Sequence, residues 1–357
     1  MTRKVFILIP SDTPHGPVKG AYALANVLAE THTVYLVALR RGQGAQARLV
    51  PQVRHLCLAH AAGGFVGQVR AYQTLLKQAG GRDRVASLSM CLSADVVNSL
   101  CRRWALTCSS VRGNLSVNYR HDYGWPGAAL AMAHLTLLRR FDHVVTMTND
   151  MASQVRRFIG HRPQVVGNFV DEQPLDAQRV QARASGPLRL VFVGSLSDRK
   201  QPGLLLPALA ALRAISQDAR LDIVGAGPLD ADLRAQAQHL GLNTAVRMHG
   251  FLDDPARLVA QADVFVLPSL AEGMSRAALE ALHLGLPCVM RDADGNSELI
   301  TPGINGVLFA SDADLSAALA SAATLASSQI WPRASLLPQA LRQHMAGAGY
   351  ADILQLQ

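Results

Sequence analysis

The sequence predicts an α/β chain built as two doubly wound, Rossmann-like units. Three observations predict it. The chain has 357 residues, more than one ordinary core holds. Short apolar runs of strand length alternate with longer amphipathic stretches, as βαβ units with parallel sheets require. The alternation breaks off at a polar, turn-rich stretch, residues 171–187, and then restarts.

The elements follow in order. Residues 5–9 (VFILI) read as a buried first strand, followed by a Gly/Pro-rich loop and a helical pattern over 21–30. Strand-like runs follow at 34–39, 104–111, 143–147 and 164–168. Helical patterns at 66–78 and 128–140 lie between them. Residues 109–127 read as a long Gly/Asn/Tyr-rich loop after a buried strand. The second unit opens at 188–194 (LRLVFVG) and continues through 221–228, 246–250, 262–269 and 286–290, with helical segments between. The expected division is a first domain over 1–168, a linker over 169–187 and a second domain over 188–330. A C-terminal helical segment, 331–357, is expected to pack back on the first domain.

Composition narrows the function classes. No apolar run approaches the roughly 18–20 residues that span a bilayer. The start, MTRKVFILIPSDTP, reads as a buried strand and not as a signal peptide. Five cysteines without CxxC spacing argue against a zinc site or a disulfide framework and fit a reducing cytoplasm. The net charge of +8 is unevenly shared. Residues 1–168 carry 20 Lys+Arg against 7 Asp+Glu (+13), and the remainder 14 against 19 (−5). Arginine pairs recur in the basic half at 40–41, 102–103, 139–140 and 156–157. A basic first half points to an anionic partner: lipid, phosphate or nucleic acid.

The sharpest group of residues is 267–290, LPSLAEGMSRAALEALHLGLPCVM. A buried strand ends at Pro268, a loop carries Glu272, Gly273, Met274 and Ser275, and a helix starts near Arg276 and runs through Glu280. Gly273 lets backbone approach a ligand closely, and the free N–H groups of a helix start suit a diphosphate. Glu272 and Glu280 are hydroxyl acceptors flanking that anion site. A phosphate site between two hydroxyl acceptors describes a nucleotide-sugar.

These residues resemble the retaining glycosyltransferases of the GT-B fold, family 4 (glycosyl transferases group 1). The resemblance covers most of 188–310. It includes FVGSLSDRKQP (192–202), with Gly194 and the basic pair Arg199–Lys200, and IVGAGPLDADL (223–233), with Gly225. It extends to MHGFLDD (248–254), with Gly250 and Phe251, and to RDADGNSELI (291–300). It implies two Rossmann-like domains facing across a cleft, with donor diphosphate and sugar held by the second domain. It further implies a metal-free mechanism in which Arg199 and Lys200 stabilise the departing diphosphate. Ser195 stands where relatives often carry arginine. In the first domain, residues 9–30 resemble the family's first glycine-rich loop and place Gly16, Lys19 and Gly20 near the ligand. The position of the family's N-terminal-domain histidine falls at Arg112, and either Arg112 or His121 takes its role. Tyr119, His121 and Asp122 follow as residues expected to meet donor or acceptor.

The expected protein is a cytoplasmic, hexosyltransferase-like enzyme that needs no metal or other cofactor. Its partners are a nucleotide-sugar donor, a glycan or lipid-linked acceptor and the inner membrane surface, with no nucleic acid. Three other readings stay open: a GT-B-fold sugar-nucleotide epimerase, an NAD(P)-dependent oxidoreductase, and a non-catalytic sugar-nucleotide-binding subunit. The oxidoreductase lacks a GxGxxG after the first strand.

Overall fold

The computed structural model describes residues 3–13, 16–42, 49–182, 186–215 and 218–356. Two compact units divide the chain: Met1–Val170 with Gln339–Gln357, and Asp171–Pro338.

The first unit is a parallel sheet of seven strands: β1 (Lys4–Ser11), β2 (Val34–Arg40), β3 (Arg54–Cys57), β4 (Val85–Met90), β5 (Leu106–Ser110), β6 (His143–Thr146) and β7 (Gln164–Val165). Their order across the sheet is β3-β2-β1-β4-β5-β6-β7. Strand β1 is apolar on both faces because both faces are covered. Val5, Ile7 and Ile9 point into one core layer with Leu24 and Tyr350. Phe6 and Leu8 point into the other with Tyr72 and Leu76. The two-residue period of the strand divides the cores.

The second unit is a parallel sheet of six strands: β8 (Leu188–Val193), β9 (Ala219–Val224), β10 (Val246–Gly250), β11 (Val264–Leu267), β12 (Cys288–Arg291) and β13 (Gly306–Phe309). The order is β10-β9-β8-β11-β12-β13. The chain reverses its direction of travel across the sheet between β8 and β11. Open α/β sheets bind ligands at that switch point, beyond the carboxyl ends of the strands.

Two expectations of local structure need correction. Residues 109–127 are not a loop. Asn114 caps a helix, Leu115–Tyr123, by accepting the Val117 N–H at 3.2 Å. Gly124, at φ +65°, turns the chain into a second helix, Trp125–Leu137, with Pro126 in its first turn. Gly16, Lys19 and Gly20 lie in the helix Gly16–Ala29, not in a loop.

The linker boundaries also move. Phe169 and Val170 are buried in the first unit. The chain from Asp171 is built into the second unit. Helix Glu172–Asp176 buries Leu175, and Asp176 accepts from His283 Nε2 at 2.8 Å. Arg179 donates to the His283 carbonyl at 2.6 Å. A polar composition here supplies partners to a buried histidine. Residues 183–185 of the expected linker lie outside the described residues. At the other end, residues 331–338 stay with the second unit, where Arg333 is buried against Asp263 and the Ala262 carbonyl. The chain returns to the first unit only from Gln339.

Candidate functional site

Every second-domain residue expected to bind the donor lies in the second unit, and most gather where its sheet reverses. The loop after β8 carries Gly194, Arg199 and Lys200, and the loop after β11 carries Glu272 to Ser275. The two loops are tied together. Leu270 N–H donates to the Arg199 carbonyl at 2.9 Å. Arg199 Nη1 donates to the Ala271 carbonyl at 2.7 Å.

Glu272 is the centre of the arrangement and is 9% exposed. Lys200 Nζ donates to its Oε1, and Arg199 Nη1 lies 3.5 Å from the same oxygen. Two adjacent cations on one loop repel, and a buried carboxylate between them is what lets them be held together. The backbone N–H of Glu272 donates to Asp294 Oδ2 at 3.0 Å. That contact brings in the loop after β12, so three strand-end loops converge on one residue.

Ser275 caps the following helix, Arg276–His283, by accepting from Ala278 N–H. Within the helix Arg276 Nε donates to Glu280 Oε1 at 2.9 Å. Met274 is buried beneath the loop. Gly194 closes β8 and Gly225 follows β9. A Cβ on Gly225, at φ +146°, would stand 1.8 Å from the Gly194 carbonyl oxygen, so only glycine lets these strand ends meet. Gly250 ends β10 with positive φ, and Phe251 beyond it is 71% exposed.

The sequence reading named Glu272, Glu280, Arg199 and Lys200, and the structure brings the first, third and fourth together. It placed both cations toward a cleft; in the second unit both are engaged with residues 271–272. It missed Asp294 and the buried Ser269, whose hydroxyl oxygen has no hydrogen-bond partner just beyond β11. Ser269 follows the strand's Pro268, a position a strand-end search could have flagged. Asp294 lies in RDADGNSELI (291–300), a segment that carries the resemblance, but nothing within that segment singles it out.

Arg112 Nη2 donates to Asn168 Oδ1 and would stand 2.7 Å from a Cβ on Gly20, while its Nη1 is buried without a hydrogen-bond partner. Tyr119 is fixed to His134, its hydroxyl 2.9 Å from Nδ1. Burial, first, and the nearby Asp95 push the Tyr119 hydroxyl well above the usual tyrosine range. His121 and Asp122 are exposed on the helix Leu115–Tyr123. Among the described residues no group of three or more His, Cys, Asp or Glu side chains is placed to hold a metal.

With this geometry established, comparison with known proteins identifies the second unit. Residues 187–326 match the family model described as glycosyl transferases group 1. An amylovoran biosynthesis glycosyltransferase, AmsK of Erwinia amylovora, is 32% identical over 130 residues, 34% of this chain and 32% of that one. A UDP-Gal:alpha-D-GlcNAc-diphosphoundecaprenol alpha-1,3-galactosyltransferase of Escherichia coli is 38% identical over 123 residues, 33% of this chain and 31% of that one. This chain thus spans about a third of the length of these two curated relatives. Among solved structures, Anabaena Alr3699/HepE in complex with UDP-glucose superposes with a TM-score of 0.71 at 20% identity, covering 99% of each chain. Residues 187–326, fewer than half of the chain, are thus similar to a glycosyl transferases group 1 domain, and the two parallel-sheet, Rossmann-like units share the GT-B fold of the structural neighbours.

Proposed function

We propose that this chain is a retaining, metal-independent glycosyltransferase. It moves a sugar from a nucleotide-diphosphate sugar to a glycan or lipid-linked acceptor in cell-surface polysaccharide synthesis, at the cytoplasmic face of a membrane. The observation that carries the reading is the Glu272–Lys200–Arg199 cluster at the carboxyl ends of β8 and β11. The names of the relatives support it. One is named as a glycosyltransferase of amylovoran biosynthesis, one as a galactosyltransferase from UDP-Gal to GlcNAc-diphosphoundecaprenol, and a structural neighbour is in complex with UDP-glucose.

The chemistry follows from charge. Breaking the bond between anomeric carbon and phosphate oxygen places new negative charge on the nucleoside diphosphate. Cations already held in place stabilise that state more than the ground state and cost no reorganisation. Lys200 and Arg199 are so held, by Glu272 and by the Ala271 carbonyl. The helix start at Arg276 adds its N–H groups and positive dipole end. Glu272 and Glu280 remain acceptors for sugar and ribose hydroxyls. In the retaining mechanism the acceptor hydroxyl attacks the anomeric carbon on the leaving group's face. Its proton passes to the departing phosphate oxygen, so no side-chain nucleophile is required.

The test is a donor panel, UDP- and GDP-sugars, followed by hydrolysis and transfer assays. Glu272→Ala and the isosteric Glu272→Gln are expected to lower kcat by about 10²-fold or more with the fold retained. Activity is expected to persist in EDTA. Wild-type turnover in Glu272→Gln would remove the site assignment. Loss in EDTA restored by Mg²⁺ or Mn²⁺ would remove the metal-free mechanism.

A further inference from the structure

We infer that the helix pair Leu115–Tyr123 and Trp125–Leu137 of the first unit is a membrane-docking surface that lies on an anionic bilayer. The inference deepens the reading of a membrane-borne acceptor and rests on it for its purpose. Its evidence is a different face of the molecule.

Helix Trp125–Leu137 is inverted for a helix at a water interface. Helix Leu115–Tyr123 buries none of its residues. Helix Trp125–Leu137 turns Gly127, Ala131, His134 and Leu135 inward. Its exposed face is Trp125, Ala128, Ala129, Met132, Ala133 and Thr136, with no charged side chain. Trp125 is 87% exposed and Met132 51%; across the turn Tyr123 is 58% exposed. Scattered apolar side chains on a surface are ordinary, but a helix whose outer stripe is uncharged throughout and apolar but for one threonine is not.

The charges around the stripe select the partner. Arg120 and His121 flank it on one helix, and Arg139 and Arg140 stand at the end of the other, all exposed. Between residues 112 and 141 the one acidic side chain is Asp122. Trp and Tyr between an apolar stripe and arginines are the side chains that settle at the headgroup level. At 13 residues the helix is too short to span a bilayer, so it lies in the interface plane. A protein partner fits less well, because a stable interface engages roughly 20–30 residues a side and this stripe is one short helix face.

The pair is also rigidly mounted, as a docking element needs to be. A Cβ on Gly127 would fall 1.8 Å from the Tyr119 carbonyl oxygen, so the helices touch backbone to backbone. Tyr119 is linked to His134 at 2.9 Å, and His134 Nε2 to the buried Asp95 at 2.7 Å. The mooring runs into the core while the outer stripe stays free.

The test is co-sedimentation of the full chain with phosphatidylglycerol-rich or pure phosphatidylcholine vesicles, at low and high salt. Binding is expected to phosphatidylglycerol vesicles and to weaken with salt. Trp125→Ser with Met132→Gln is expected to lower partitioning at least about tenfold. Arg139→Glu with Arg140→Glu is expected to do the same. All substituted side chains are exposed, and unchanged thermal unfolding checks the fold. Arg156→Glu with Arg157→Glu, on another helix of the same unit, controls for net charge and is expected to lose less. Equal binding of the Trp125/Met132 variant and wild type overturns the proposal. So does equal binding to both lipids, or a self-association abolished by the same variant in place of vesicle binding. UDP-sugar binding is measured alongside. Its absence with intact vesicle binding defeats the transferase reading alone.

Discussion

Asp294 holds a backbone angle that few side chains accept, φ +47°, and its carboxylate takes the N–H of Glu272. Aspartate tolerates that conformation better than most residues, and it supplies the acceptor that fixes the loop bearing Glu272. Asp294→Ala removes the acceptor and leaves a near-buried N–H unpaired, at about 1–3 kcal/mol. We expect kcat/KM of the proposed transfer to fall about tenfold or more, with Asp294→Asn close to wild type. Equal loss in both variants would show that the charge, not the positioning, matters. Residues of this kind mark the limit of what the sequence shows. Glu272, Lys200 and Arg199 each sit a few residues after an apolar run, where strand-end chemistry is sought. Asp294 matters only because two loops, 22 residues apart in sequence, meet in space.

The missed elements have a related cause. Strand β4 is central, yet Ser87 and Ser89 alternate with apolar residues and imitate a half-exposed strand. Both are fully buried and satisfied, Ser87 by Tyr72 and Asn98 and Ser89 by Asp95. Helix Leu115–Tyr123 was hidden by its Asn and Tyr content, by the glycines on either side of it and by burying none of its residues, so that no apolar stripe marks it. The strongly apolar strands β1, β2, β8 and β11 were legible because burial on both faces writes itself as a continuous run. A polar residue also secures the join between β5 and β6. Asp142 accepts from both Arg82 Nη atoms at 3.0 Å, from Arg102 Nε at 2.9 Å, and from the Thr107 N–H and hydroxyl. Burial works to raise its pKa, but Arg82, Thr107 and Arg102 outweigh it and hold the carboxyl at about 2. The folded value lies below the ordinary 3.8, so the stabilisation is complete above about pH 4 and is lost as pH falls toward 2. Because both arginines are well exposed, we put it at about 1–2 kcal/mol. Asp142→Asn is expected to lower Tm near neutral pH and to flatten the acid limb between pH 4 and 2. An unchanged acid limb in the variant would assign the limb to other carboxylates.

At the scale of the whole chain, the first unit is completed from the opposite end of the sequence. Helix Gln343–Ile353 lays Ala346, Tyr350 and, just beyond it, Leu354 and Leu356 into the core that holds Ile7, Leu24 and Val145. Tyr350 is fully buried with its hydroxyl 2.7 Å from Ser110 Oγ, and burial drives its pKa up. Gly347 is where the helix presses against Gly16–Ala29, since a Cβ there would meet Val27 Cγ1 at 2.8 Å. Burying Tyr350, Leu354 and Leu356 contributes about 1.5–3 kcal/mol each, a sum of the same order as the stability of an ordinary domain. The second unit draws no chain from beyond Pro338. Ending the chain at residue 338 is therefore expected to remove the calorimetric transition of the first unit and to leave that of the second. The milder Gly347→Ala, forced to move a branched side chain on the facing helix, is expected to lower only the first-unit transition, by about 1–3 kcal/mol. If the shortened chain keeps both transitions, the C-terminal helix decorates a core that is already closed. If it loses both, the second unit depends on the first for its folding, a dependence that residues 171–338 do not require for their own sheet.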